Sequence, residues 1–395
     1  MNSAPVLLRE ICTDVEYGYT ASASHVVDGP LFLRITDIVP ELINWDAVPR
    51  CEIATKKLER FRLHHNDIVI ARTGATVGYA KRLKNPPLGV FASYLVRLKI
   101  NPDRADPAFV GAIVESKHYK DFVLRNAGGA AQPNANAQVL TSYELHLPAL
   151  HTQHRIASIL SAYDDLIENN RRRIQLLEQA ARLIYQEWFV RLRYPGHEHV
   201  RVVDGVPEGW GRRQLRALCD EIRDTVRANR LDPTSPYIGL EHMPRRSITL
   251  SDWGVASEIQ SDKHAFRRGD ILFGKIRPYF HKVGVCLTEG IASTDAIVIR
   301  PPADRYFSLV LMTVSSDLFV AHATQSSHGS KMPRANWKVL ERFPVLVPPE
   351  ALLQDFDNLI APTVSQLRTL ALTNRKLREA RDLLLPKLMS GEIAV

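Results

Sequence analysis

The chain carries an internal duplication. Asn66-Asp67-Ile68-Val69-Ile70-Ala71-Arg72-Thr73-Gly74 is echoed by Gly269-Asp270-Ile271-Leu272-Phe273-Gly274-Lys275-Ile276-Arg277. Gln132-Pro133-Asn134-Ala135-Asn136 is matched by Met332-Pro333-Arg334-Ala335-Asn336, and Leu147-Pro148 by Val347-Pro348, both at an offset of 200 residues. A duplication on this scale constrains the fold more than any single motif, because each copy must bury a core of its own. In a chain of 395 residues that is 45% hydrophobic there is material for two such cores.

Each copy opens with short Val-, Ile-, Leu- and aromatic-rich runs punctuated by Gly and Pro: Phe32 to Ile38, Asp67 to Ala71, Tyr94 to Ile100, Asp270 to Gly274 and Ala296 to Arg300. These predict strands of a mixed α+β domain. Each copy then closes on a segment of different rhythm. In the first, Ile156, Leu160, Tyr163, Ile167, Asn170, Ile174, Leu177, Ala181, Ile184 and Trp188 alternate in steps of four and three, which predicts a heptad seam on one long helix. In the second, Phe356, Leu359, Thr363, Gln366, Leu370, Thr373, Leu377, Ala380 and Leu384 follow a similar spacing, with Pro362 near the start.

A single amphipathic helix cannot bury such a stripe alone, so the two are expected to pair, antiparallel, with Asn170 fixing their register. The expected domains are therefore a reader over 1–150, a central coiled-coil helix over 151–193, a second reader over 194–350 and a C-terminal coiled-coil helix over 351–395. An antiparallel pair would carry an internal pseudo-two-fold axis and hold one reader at each end, the geometry for two DNA half-sites at a fixed gap.

The residues that accompany this plan resemble the specificity subunits of Type I restriction-modification systems, over essentially the whole chain. The carriers are Asp67 to Gly78, Gln153-His154-Arg155-Ile156-Ala157, Asn169-Asn170-Arg171-Arg172-Arg173 and Trp188-Phe189 leading to Pro195-Gly196. Pro207-Glu208-Gly209-Trp210 and the tail from Asn374-Arg375 through Arg381-Asp382-Leu383-Leu384-Leu385-Pro386-Lys387-Leu388 to Ser390-Gly391-Glu392-Ile393 complete them. The resemblance implies a non-catalytic subunit with two target-recognition domains and a helical pair that docks two methyltransferase subunits and, with them, nuclease-translocase (restriction) subunits. S-adenosylmethionine, ATP and Mg²⁺ would belong to those partners, leaving this chain without a cofactor. The specificity subunit of a Type IIB enzyme is the related alternative, separated from the first by whether nuclease and methyltransferase motifs are fused in the partner.

Reading base edges requires Arg, Lys, Asn, Gln, Ser or Thr side chains on loops at groove depth, and holding the duplex requires contacts to its phosphates. The loops after the matched strands supply Arg72, Thr73, Thr76, Ser93, Tyr94 and Gln132 in the first copy. The second copy supplies Lys275, Arg277, Tyr279, His281, Lys282, Ser293, Thr294, Ser327, His328, Lys331 and Arg334. Equivalent loops with different polar side chains suit two readers of different sequences.

A formal net charge of +8 fits a polyanionic partner only weakly, because the excess is spread along the whole chain. Cys12, Cys51, Cys219 and Cys286 lie far apart without a Cys-x-x-Cys pair, against a zinc ribbon or a disulfide framework and toward reduced thiols. With no signal-like N-terminus and no apolar run long enough to span a bilayer, a cytoplasmic protein is expected, with no membrane partner. Asn85-Pro86-Pro87-Leu88 approaches an adenine-methyltransferase motif but lacks the aromatic that stacks on a flipped base. Asp103, Glu115 and Lys117 have the spacing of a Mg²⁺-dependent nuclease site, three common residue types that meet by chance; they define the competing expectation that this chain alone cleaves DNA.

Overall fold

In a computed structural model the described residues are 5–40, 42–129, 133–329, 331–390, 392–393 and 395. They form two compact units, one of residues 1–168 with 377–395 and the other of residues 169–376. Each unit is a mixed α+β domain together with half of each long helix.

In unit 1 the strands β1 (Cys12–Tyr17), β2 (Ile68–Ala71), β3 (Ala80–Arg82) and β4 (Leu95–Ile100) form one sheet in the order β1-β4-β2-β3. In unit 2, β5 (Asp220–Ile222), β6 (Thr249–Leu250), β7 (Ile271–Gly274), β8 (Val283–Cys286) and β9 (Ala296–Arg300) take the order β5-β9-β7-β8-β6. The first four strands of that sheet repeat the first sheet, and β6 is an added parallel edge. Even the register recurs, with Ile68 opposite Leu98 in unit 1 and Ile271 opposite Ile299 in unit 2.

The wholly apolar runs of β2 and β7 follow from burial on both faces. Ile68 and Ile70 face one cluster while Val69 and Ala71 face another. Ile271 and Phe273 likewise enter the main core of unit 2, with Leu272 on the opposite side. The repeated Asp opens each of these strands from the same tight turn: Asp67 Oδ2 accepts from His64 N at 2.9 Å, and Asp270 Oδ2 from Arg267 N at 2.7 Å. The turn needs a left-handed residue, supplied by Asn66 (φ 70°) and Gly269 (φ 90°). The repeated Asn caps a short helix in each copy, Asn136 accepting from Val139 N at 2.9 Å and Asn336 from Lys338 N at 3.0 Å.

Phe32 to Ile38 is not one strand, contrary to the sequence expectation. Leu31–Leu33 is a strand, and Ile35–Ile38 is a helical turn that Asp37 closes by accepting from Arg34 N at 2.8 Å and pairing with its guanidinium. Local capping overrides the apolar run there.

The long helices are α1 (Leu150–Tyr185), which ends in a π turn over Gln186–Val190, and α2 (Glu350–Ser390). Within unit 2, Asn170 Nδ2 donates to Asn374 Oδ1 at 2.9 Å and the rings of Trp188 and Phe356 lie 5.7 Å apart. Moving up one helix therefore moves down the other, so the pairing is antiparallel. Within unit 1, Arg381 Nη1 meets Asp164 Oδ1 at 2.7 Å, and Ile156 and Leu160 share a core with Leu384, Leu385 and Leu388. Every seam position expected on α1, Tyr163, Ile167, Ile174, Leu177 and Ile184 among them, is buried or half-buried.

The seam of α2 requires a correction. Phe356, Thr363, Leu370, Leu377 and Leu384 face inward, but Leu359 is 45% exposed, and Gln366 and Thr373 are exposed too. Ile360, Leu367 and Asn374, one residue further on, are buried in their place. The helix steps by four and then three from Phe356, not by three and then four, and this phase puts Asn374 opposite Asn170.

A buried carboxylate ties α1 to the α+β domain of unit 2. Glu178 Oε1 accepts from Ser247 Oγ at 2.7 Å, Thr249 N at 3.0 Å and Thr249 Oγ1 at 2.6 Å. Three donors on one buried carboxylate oxygen lock the start of β6 against the helix. All four cysteines are unbridged, and burial pushes the Cys219 thiol up to about 12 and the Cys51 thiol up to about 11, away from nucleophilic reactivity. Among the described residues no single helix is long and apolar enough to cross a membrane.

Candidate nucleic-acid interface

In each unit three loops far apart in sequence are laced into one surface by backbone hydrogen bonds. In unit 1, Arg72 N donates to Tyr94 O at 3.0 Å, Ala135 N to Arg72 O at 2.9 Å and Gly74 N to Pro133 O at 2.9 Å. Gly128 and Asn134 exchange bonds of 3.0 and 2.8 Å. In unit 2 the same lacing runs from Lys275 N to Asp295 O at 2.9 Å, Ala335 N to Lys275 O at 2.8 Å and Arg277 N to Pro333 O at 2.8 Å. There His328 and Arg334 exchange bonds of 3.2 and 2.9 Å. The duplicated Pro-x-Ala-Asn segment is thus the strap that closes each three-loop surface.

The side chains on these equivalent frames differ. In unit 1, the Arg72 guanidinium lies 4.9 Å from the centre of the Tyr17 ring, and its Nη2 reaches Asn134 Oδ1 at 3.3 Å. Tyr94 is 61% exposed beside it, with Ser93, Thr73 and Thr76 half-buried. Gln132 lies outside the described residues.

In unit 2, Lys275 is half-buried, Thr294, His328, Lys331 and Arg334 are exposed, and Tyr279 packs edge-on against Phe280 at 4.9 Å. The Arg245 guanidinium sits 4.1 Å over that Phe280 ring, and Arg334 lies 3.6 Å from Asp295. Ser293 Oγ accepts from Asp295 N at 3.2 Å, and the Ser327 hydroxyl donates to Thr324 O at 2.7 Å, so both are engaged in shaping their own loops.

Two expected contact residues turn inward. His281 is 6% exposed, with Nε2 2.8 Å from Ser315 O, and Lys282 Nζ donates to Leu240 O. Both lie where the loop re-enters β8, and their side chains bond to the domain itself. Burial lowers the pKa of each. Because His281 titrates below its ordinary 6.5, it contributes stability that is present above that pH and is lost as pH falls through the lowered value. Thermal melting from pH 7 down to pH 5 is expected to lose stability more steeply in the natural chain than in His281→Asn; parallel curves would refute this.

Tyr17, Asn134, Arg245 and Phe280 belong to the surface but are not among the contact residues expected from the sequence. Asn134 and Arg334 occupy matching places in the repeated strap, a usable signal. Tyr17 stands on β1, far from Arg72 in sequence, and only the pairing of β1 with β4 brings it near. Glu115 accepts from Arg82 N at 2.7 Å and pairs with Lys81, while Lys117 pairs with Asp121, so these members of the nuclease-like spacing serve separate local contacts.

Comparison with known proteins gives a consistent relation. The model of the Type I restriction modification DNA specificity domain matches residues 51–179. The MjaIX specificity subunit of a Type I restriction enzyme from Methanocaldococcus jannaschii is 21% identical over 359 residues, covering 85% of this chain and 79% of that one. The EcoDI specificity subunit of Escherichia coli is 22% identical over 252 residues, covering 58% and 56%. Among solved structures, the S subunit of a Type I restriction-modification system from M. genitalium shares the fold with a TM-score of 0.57 at 14% identity, covering 98% of this chain and 96% of that one.

Proposed function

We infer that this chain is a specificity subunit of a Type I restriction-modification system, which recognises an asymmetric two-part DNA sequence and brings the modifying and cleaving subunits to it. The observation that carries the reading is one three-loop frame built twice and furnished with different side chains. A duplicated frame gives two half-sites, and unlike side chains make them unlike in sequence. The DNA specificity domain matched over residues 51–179 supports the same reading.

The readers are 1–150 and 194–350, and the helices 151–193 and 351–395 set the gap between the half-sites and seat two methyltransferase subunits. The chain contributes recognition and assembly, and the methyl transfer and DNA cleavage are carried out by the subunits it recruits. Phosphate contacts from exposed cations such as Lys331 and Arg334 would make binding fall steeply with salt while leaving the sequence preference unchanged.

The test is co-expression with the methyltransferase subunit of its own system in a host free of adenine methylation, followed by mapping of methylated adenines. The expected result is a two-part motif with a fixed gap and unlike halves. Absence of methylation, together with Mg²⁺-dependent cleavage by the pure chain, would replace this reading with the nuclease centred on Asp103, Glu115 and Lys117.

A further inference from the structure

Arg72 and Arg277 share an arrangement that their places in the fold do not require. Each guanidinium lies over an aromatic ring, 4.9 Å from the centre of Tyr17 and 5.9 Å from that of Phe280. In unit 1, Nη2 of Arg72 is tethered to the strap at 3.3 Å to Asn134 Oδ1, and in unit 2, Nη2 of Arg277 to the loop that leads into the strap, at 3.4 Å to Lys331 O. In each, Nε is buried with no hydrogen-bond partner among the described residues.

The two arginines do not occupy equivalent positions. By backbone lacing Arg72 corresponds to Lys275, and Arg277 corresponds to Gly74. Were the arginine needed only to hold the loop, it would recur at one position. Arg277 also adopts φ 49° and ψ 62°, the left-handed conformation for which the sister copy uses glycine at φ 75°. A long side chain is kept where the backbone favours none, a cost that a role for its guanidinium would account for.

From this we propose that Arg72 and Arg277 are the specificity-determining residues of the two readers, each presenting a preoriented guanidinium to the O6 and N7 edge of a guanine in its half-site. The chemistry is that of the bidentate arginine–guanine pair, which requires a planar donor fork held in one orientation. The aromatic ring beneath and the tether on Nη2 supply that orientation. Because the two arginines stand two positions apart along equivalent loops, the guanines lie at different places within the two half-sites. This inference rests on the DNA-recognition reading above and adds the base and the residue.

The test uses the full chain in complex with its methyltransferase, on duplexes in which each recognised base pair is replaced in turn. Arg72→Ala is expected to lower discrimination about 5- to 150-fold at a single G·C pair of one half-site and to leave every other pair unchanged. Arg277→Ala should do the same at one G·C pair of the other half. The untouched half-site reports in each case that the complex is folded. Arg72→Lys keeps the charge without the fork, so it should also lose discrimination at that one pair.

Uniform weakening at all pairs, an unchanged profile, or full discrimination with Lys at 72 would overturn the assignment while the natural chain still methylates its motif. Failure of the natural chain to yield any motif would instead overturn the functional reading itself.

Discussion

Deleting one heptad from each long helix, residues 167–173 together with 371–377, is expected to shorten the unspecific gap of the methylated motif by about three base pairs while both half-sites stay the same. Seven residues rise about 10 Å along a helix, and a base pair occupies about 3.4 Å along the duplex. A heptad is the deletion that keeps the seam in phase, because it removes one full repeat and returns each apolar residue to the same face. The two excised segments face one another, since Asn170 meets Asn374. A matched excision removes that pair but rejoins buried positions on both helices.

Removing only 167–173 would set the seam of α1 a full heptad out of step with α2, and methylation should fall to background. Sequencing methylated adenines after expression of each variant separates the cases. An unchanged gap in the matched variant would show that something other than these helices sets the spacing.

How far such an experiment could be designed from sequence depends on the helix. On α1 the seam is legible because Ile, Leu and Tyr occupy it almost continuously, and burial follows that pattern from Ile156 to Trp188. On α2 the apolar residues form a wider band. Leu359 and Ile360 are adjacent, as are Leu370 and Ala371, and either of each pair satisfies a heptad spacing. The partner decides the phase, through rings and through the Asn170–Asn374 bond, which no single-helix periodicity contains.

The interface divides in the same way. Its loops were legible because duplication marks them. Which side chains leave the surface was not, because His281 is drawn inward by the Ser315 carbonyl and Lys282 by the Leu240 carbonyl. Those contacts depend on tertiary placement. The glycine–arginine exchange between positions 74 and 277 was visible in the aligned repeats, but its meaning needed the backbone angle.

The packing of α2 predicts the largest loss of stability from a single substitution. Phe356 is fully buried, and its ring lies 4.8 Å from that of Phe189, 5.7 Å from Trp188 and 6.5 Å from Tyr185. Trp188 and Phe189, adjacent in the π turn over Gln186–Val190, are both buried in this core. Phe356→Ala would remove the ring around which these three aromatics are arranged, and buried Phe-to-Ala changes cost about 3–5 kcal/mol because the cavity closes only partly.

The loss should fall on unit 2, where Phe356, Trp188 and the strands Ile271–Gly274 and Ala296–Arg300 share one core. Phe356→Leu refills most of that volume and should recover more than half of the deficit. Denaturant unfolding of the three chains gives the ordering directly. If Phe356→Ala unfolded within about 1 kcal/mol of the natural chain, the aromatic cluster would not be the point at which α2 secures the α+β domain of unit 2, and the pairing along the rest of the seam would have to carry that role.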